Sequence, residues 1–136
     1  MNNMVFVNLP VEDLPRSKEF FAALGYEFNP QFTNDLAACM VISETIYAML
    51  LTKPFFQTFI PGEIADAKKV TEALVCLSCD SLTEVDEMIR KAKAAGAVIH
   101  RPPQDHGFMY GHGFQDLDGH IWEYAYMDLS TASATP

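Results

Sequence analysis

Glu123 is the residue whose type and setting point most directly to chemistry. It is a single carboxyl inside an aromatic and aliphatic run, Ile121-Trp122-Glu123-Tyr124-Ala125-Tyr126. If that run faces an apolar pocket with no cation or hydrogen-bond donor near, such a carboxyl is a candidate general acid or base. Four histidines lie in the same half of the chain, His100, His106, His112 and His120. Neither their spacing nor a shared helix face marks them as a ligand set. Cys76-Leu77-Ser78-Cys79 has the C-x-x-C form. Residues three apart on a strand point to opposite faces, so these thiols are read as packing residues. Gly107, Gly111, Gly113 and Gly119 precede no helix start, so they suit bends and bulges rather than a phosphate cradle.

The elements that must position these groups follow from periodicity. Met4–Val11 alternates and reads as a strand. Glu12-Asp13 with Pro15 starts a helix whose apolar stripe is Leu14, Phe20, Phe21 and Leu24, and Gly25 stops it. A short strand is predicted over Tyr26–Phe32, then a hairpin of Leu36–Ile42 and Ile46–Thr52 turned by Ser43-Glu44-Thr45. Segment 54–71 breaks the pattern and reads as a connector, with Phe55, Phe56 and Phe59 on one face of a short helix. The opening order then returns. Ala73–Asp80 is a strand, and Ser81-Leu82-Thr83-Glu84 has the form of a capping box. Leu82, Val85, Met88, Ile89 and Ala92 face one side of the helix that follows. A strand is predicted over Val98–Arg101, closed by Pro102-Pro103. Phe108–Gln115 and His120–Met127 form the last hairpin, with Trp122, Tyr124 and Tyr126 on one face of its second strand, set against a helix or a partner subunit. The tail beyond Asp128 is small and polar and is expected to fray.

Composition bounds the function. The chain has 136 residues, enough for one domain, and 49% of them are apolar, enough for a core. Eighteen acidic residues against nine Lys and Arg give a net charge of -9, which argues against nucleic acid and against anionic membranes. The opening residues do not combine basic charge with a long apolar run, so no signal peptide is expected, and no apolar stretch is long enough to span a bilayer. The odd number of cysteines, three, fits reduced thiols, so a cytoplasmic location is expected.

The second half repeats the first. Phe6, Leu9, Val11 and Leu14 fall on Leu74, Leu77, Cys79 and Leu82 at one constant offset. Duplication of this kind often builds a site between the copies. Two stretches then carry a resemblance. One is Val7-Asn8-Leu9-Pro10-Val11-Glu12-Asp13-Leu14-Pro15-Arg16-Ser17, followed by Phe20-Phe21. The other, more specific, is Phe114-Gln115-Asp116-Leu117-Asp118-Gly119-His120-Ile121-Trp122-Glu123. From about Met4 to Asp128 the chain resembles the vicinal oxygen chelate superfamily of glyoxalase I, extradiol dioxygenases, fosfomycin-resistance enzymes and bleomycin-resistance proteins. The resemblance implies an α+β fold: two tandem βαβββ modules, about 4–53 and 72–128, whose curled mixed sheet surrounds a cup, in a single domain over 1–136 that usually forms a homodimer.

The resemblance also locates the metal ligands of such proteins. Their first-strand histidines land on Phe6 and Leu74, the first-half glutamate lands near Met49, and only the last-strand carboxylate survives, as Glu123. No metal is therefore expected. The alternative is a divalent ion rebuilt on Glu123 with His112. By resemblance the faces holding Phe6 with Met4 and Asn8, Met49 with Tyr47 and Leu51, Leu74 with Cys76 and Ser78, and Glu123 with Ile121 and Ala125 turn inward. Tyr110, His112 and Phe114 share a face of the neighbouring strand and are expected to line the same space. Phe6, Asn8, Tyr47, Met49, Leu74, Tyr110, His112 and Phe114 are then the candidate ligand contacts, with Glu123 the candidate acid-base group or, alternatively, a relic of the ancestral site satisfied by Tyr110, His112 or Arg101. The leading expectation is a protein that binds a small organic molecule without the usual metal. The alternatives are a glyoxalase-type lyase or isomerase or an extradiol dioxygenase with a rebuilt site, and a drug-sequestering resistance protein.

Overall fold

A computed structural model describes residues 2–128. The chain divides into two compact units, one ending at Ala65 and the other beginning at Asp66, a boundary inside segment 54–71. The tail beyond Asp128 lies outside the described residues.

The first unit runs β1 (Val5–Val11), α1 (Leu14–Ala23), β2 (Glu27–Phe28), a 3-10 turn (Pro30–Phe32), β3 (Ala37–Val41), β4 (Ile46–Thr52) and α2 (Lys53–Gln57). Asp13 caps α1 by accepting from the Arg16 backbone N–H at 3.2 Å, and Pro15 sits in the first turn, where its missing N–H costs nothing. The sheet order is β1-β4-β3-β2, with β1 parallel to β4 and the other pairs antiparallel. α1 packs on β3 and β4, burying Leu14, Phe20, Phe21 and Leu24 together with Ala38, Met40, Ala48 and Leu50. The strand expected over Tyr26–Phe32 shrinks to Glu27–Phe28. Pro30 has no N–H for a ladder, and the Asn29 side chain accepts from the Gln31 N–H at 3.0 Å to start the 3-10 turn instead.

The second unit runs β5 (Leu74–Ser78), α3 (Leu82–Ala94), β6 (Gln104–Asp105), β7 (Met109–Gln115) and β8 (Ile121–Met127), in sheet order β5-β8-β7-β6. It repeats the first strand order, with β5 parallel to β8. Ser81 caps α3 by accepting from the Glu84 N–H at 3.0 Å. α3 lays Val85, Ile89 and Ala92 on β7 and β8, against Phe114, Trp122 and Tyr124. Each of the larger aromatics is worth roughly 4–6 kcal/mol of burial at most, so this face holds the unit together. The strand expected over Val98–Arg101 survives only as a bridge from Val98 to Gln115. Pairing resumes at Gln104, beyond Pro102-Pro103, which leaves Arg101 in irregular backbone.

The two units make the molecule α+β, two successive βαβββ modules with mixed four-stranded sheets.

Candidate functional site

β8 presents its two faces to different surroundings. Trp122 and Tyr124 are buried under α3, as their alternation predicts. Ile121, Glu123 and Ala125 point the other way. Register carries this second face across the sheet: Leu74, Cys76 and Ser78 of β5 stand opposite Ile121, Glu123 and Ala125, and these stand opposite Gln115, Gly113 and Gly111 of β7. Cys76 and Ser78 are exposed, and Leu74 is 48% exposed. The strand residues in register around Glu123 are uncharged.

Glu123 does not stand alone on it. Its Oε2 accepts from Arg101 Nη2 at 2.8 Å, with the glutamate side chain 20% exposed and the arginine 45%. Gly113 makes the reach possible. A Cβ there would lie 2.9 Å from Glu123 Cγ and 2.8 Å from the Trp122 carbonyl oxygen, so only a glycine leaves room for the glutamate stem. Cys76, opposite Glu123, has its thiol raised first by burial and then by the Glu123 charge. Cys79 lies just past β5, and burial, then Glu84, pushes its thiol up to about 12. Neither cysteine has the setting of a nucleophile.

Three residues expected beside Glu123 lie elsewhere. Register sets Glu123 against Gly113, so Tyr110, His112 and Phe114 fall on the α3 face. Phe114 is fully buried there, its ring 6.2 Å from that of Tyr124. Tyr110 donates to Asp86 of α3 at 2.6 Å, and that bond, followed by burial, pushes its phenol up to about 12. His112 Nε2 is 2.9 Å from the Arg101 carbonyl oxygen. Glu123 and His112 therefore leave opposite faces of the sheet, and the structure does not bring the two together.

In the first unit the expected group does share a face. Phe6 is paired with Tyr47 and Asn8 with Met49 in register. The Phe6 and Tyr47 rings stack at 4.9 Å and 11°, and Phe6 is 50% exposed. Tyr47 donates to the Glu44 carbonyl at 3.0 Å, and Asn8 to the Phe6 carbonyl at 3.0 Å. The duplicated register also fixes an alignment that sequence left loose. Phe6 stands opposite Tyr47 and Leu74 opposite Ile121, so Met49 holds in the first sheet the place of Glu123 in the second.

The donor set does not fit a divalent metal. Phe6 and Leu74 offer no donor, and Met49 offers only a soft thioether. The one carboxylate, Glu123, already faces a guanidinium. Among the described residues, no three His, Cys, Asp or Glu side chains are grouped to hold a metal ion.

The rest of the closing motif builds the hairpin. Asp116, 5% exposed, accepts from Trp122 Nε1 at 3.0 Å and from the Asp118 and His120 N–H groups at 2.9 and 3.0 Å. Gly119 turns at φ +92° against the backbone of Ala67 and Lys68, where a Cβ would come within 2.8–2.9 Å of neighbouring atoms.

Arg101, which the sequence offers with Tyr110 and His112 as a possible partner of Glu123, is the one of the three that the structure places there. A signal was present: it is the only Lys or Arg after Lys93.

A family model described as bleomycin resistance protein-like N-terminal matches residues 3–43. A hypothetical protein of S. aureus, SA1046, superposes with a TM-score of 0.77 at 30% identity, covering 93% of this chain and 94% of that one. A glyoxalase/bleomycin resistance protein/dioxygenase family enzyme of Burkholderia phytofirmans gives a TM-score of 0.77 at 15% identity, over 92% of this chain and 98% of its own. The fosfomycin resistance protein FosX of Listeria monocytogenes gives 0.68 at 18%, over 96% and 97%. No curated protein matches significantly. With the duplicated βαβββ plan and the two motifs, these likenesses define the class: the chain belongs to the vicinal oxygen chelate superfamily.

Proposed function

We propose that this protein binds a small organic molecule on the face that carries Glu123, and does so without the divalent metal of its catalytic relatives. The observation that carries the reading is the Glu123–Arg101 pair, set on a partly open sheet face whose register rows are otherwise uncharged. Apolar walls with few polar groups are the usual composition of a small-molecule site. The arginine end of the pair is open to solvent, whose screening limits what the pair adds to stability. The reading includes a homodimer in the cytoplasm, which light scattering and fractionation test directly.

The first experiment is elemental analysis of protein purified without chelators or affinity metals, beside Glu123→Ala. The expected result is well under a tenth of an equivalent of any transition metal in both. Near one equivalent, lost in the variant, would overturn the metal-free reading and favour glyoxalase- or dioxygenase-type catalysis. A thermal-shift screen of small organic compounds on both proteins then tests binding, with stabilisation expected for the wild type and reduced for the variant.

A second reading, sequestration of a cationic drug, is favoured by the match of residues 3–43 to the bleomycin resistance protein-like model and by the net charge of -9. Titration with bleomycin at rising salt decides it: affinity that falls steeply with ionic strength supports sequestration, and absence of binding ends it.

A further inference from the structure

We infer that the Arg101 guanidinium takes the electrostatic place of the family's metal beside the surviving carboxylate, and that the site accordingly selects a ligand through a carboxylate group. The inference rests on the small-molecule reading above and gives it a ligand class. Glu123 Oε2 holds Arg101 Nη2 at 2.8 Å, so the carboxylate that elsewhere in the family meets a cation meets one here, supplied by the chain itself. A guanidinium has five N–H donors in a planar fork, and one carboxylate oxygen engages one of its nitrogens. The arginine side chain is 45% exposed, so donors remain for a second oxyanion. No other charged side chain lies in the register rows of this face, from Leu74, Cys76 and Ser78 across Ile121, Glu123 and Ala125 to Gln115, Gly113 and Gly111. Of the pair, the guanidinium is the more exposed partner and the carboxylate has one oxygen engaged, so a ligand arriving there meets chiefly arginine donors, which suit an anion. Gly113 is the third part of the device, because a side chain there would displace the glutamate stem.

The test uses the whole chain labelled with 15N and three probes of one shape: benzoate, benzamide and benzylammonium. Benzoate is expected to move the Gly111, Gly113 and Ala125 amide signals and the Arg101 Nε–H signal, and to bind at least tenfold tighter than benzamide. Arg101→Met should erase that preference, Arg101→Lys should keep part of it, and Glu123→Gln should tighten benzoate by freeing the guanidinium. The lysine variant keeps the test valid if the methionine variant folds poorly. Equal binding of benzoate and benzamide on this face, or tightest binding of benzylammonium, overturns the role of Arg101 and leaves the small-molecule reading standing. No response to any probe overturns both.

Discussion

Burial raises the Asp116 carboxyl from its ordinary value, against the opposing pull of His120 and of the Trp122 N–H. The consequence for stability runs opposite to ordinary acid denaturation. Below about pH 4 folded and unfolded chains both hold this proton. As pH rises the unfolded chain releases it first, and the contribution to stability is lost by the time the folded-state value is passed. The stability advantage of the wild type over Asp116→Asn, measured by urea unfolding between pH 3 and 6, should therefore narrow as pH rises. Asp116→Ala, which strands three donors, should cost about 3 kcal/mol. Cys76 supplies a residue-scale test of the neighbouring charge. Its thiol is raised by burial first and by Glu123 second, so Glu123→Gln should speed its alkylation by iodoacetamide at pH 8 several-fold. Cys79, held up by burial and Glu84, should stay slow in both proteins.

Between strands, close approach decides more than propensity. Gly113→Ala would drive a Cβ against the Trp122 carbonyl and the Glu123 stem. It should cost about 1–3 kcal/mol in urea denaturation and release Arg101, visible as a shift of its Nε–H signal. Ser81→Ala should cost about 1 kcal/mol by removing the cap of α3. The capped helix, the duplicated strand order and the aromatic face of β8 were legible in the sequence because each rests on local periodicity or a short motif. The orientation of β7 was not. Tyr110, His112 and Phe114 alternate cleanly, but alternation says only that they share a face. It does not say which, and only the pairing of Gly113 with Glu123 settles that. Arg101 could be named from sequence only as one of three possible partners of Glu123, beside Tyr110 and His112, and the choice among them was not legible. The expected strand of Arg101 gives way to irregular backbone, from which the side chain reaches a partner 22 residues away. No local pattern encodes that contact.

For the molecule as a whole, a net charge of -9 imposes self-repulsion that salt relieves. Thermal stability should rise between about 0.02 and about 0.3 M ionic strength, as followed by circular dichroism. The same field repels a carboxylate probe at long range, so benzoate should associate faster as salt rises and benzylammonium more slowly. No helix among the described residues is long and apolar enough to cross a membrane. The duplication adds an internal control of the molecule's own making. Met49 occupies the register position of Glu123 in a sheet of the same strand order, and the chain from Asn29 to Leu36 contains no Lys or Arg. A Met49→Glu chain thus carries two carboxylates at equivalent register positions, one with an arginine counterion and one whose corresponding loop supplies none. Comparing how those two sites titrate and which anions each tolerates would separate what the arginine contributes from what the sheet contributes, inside a single polypeptide.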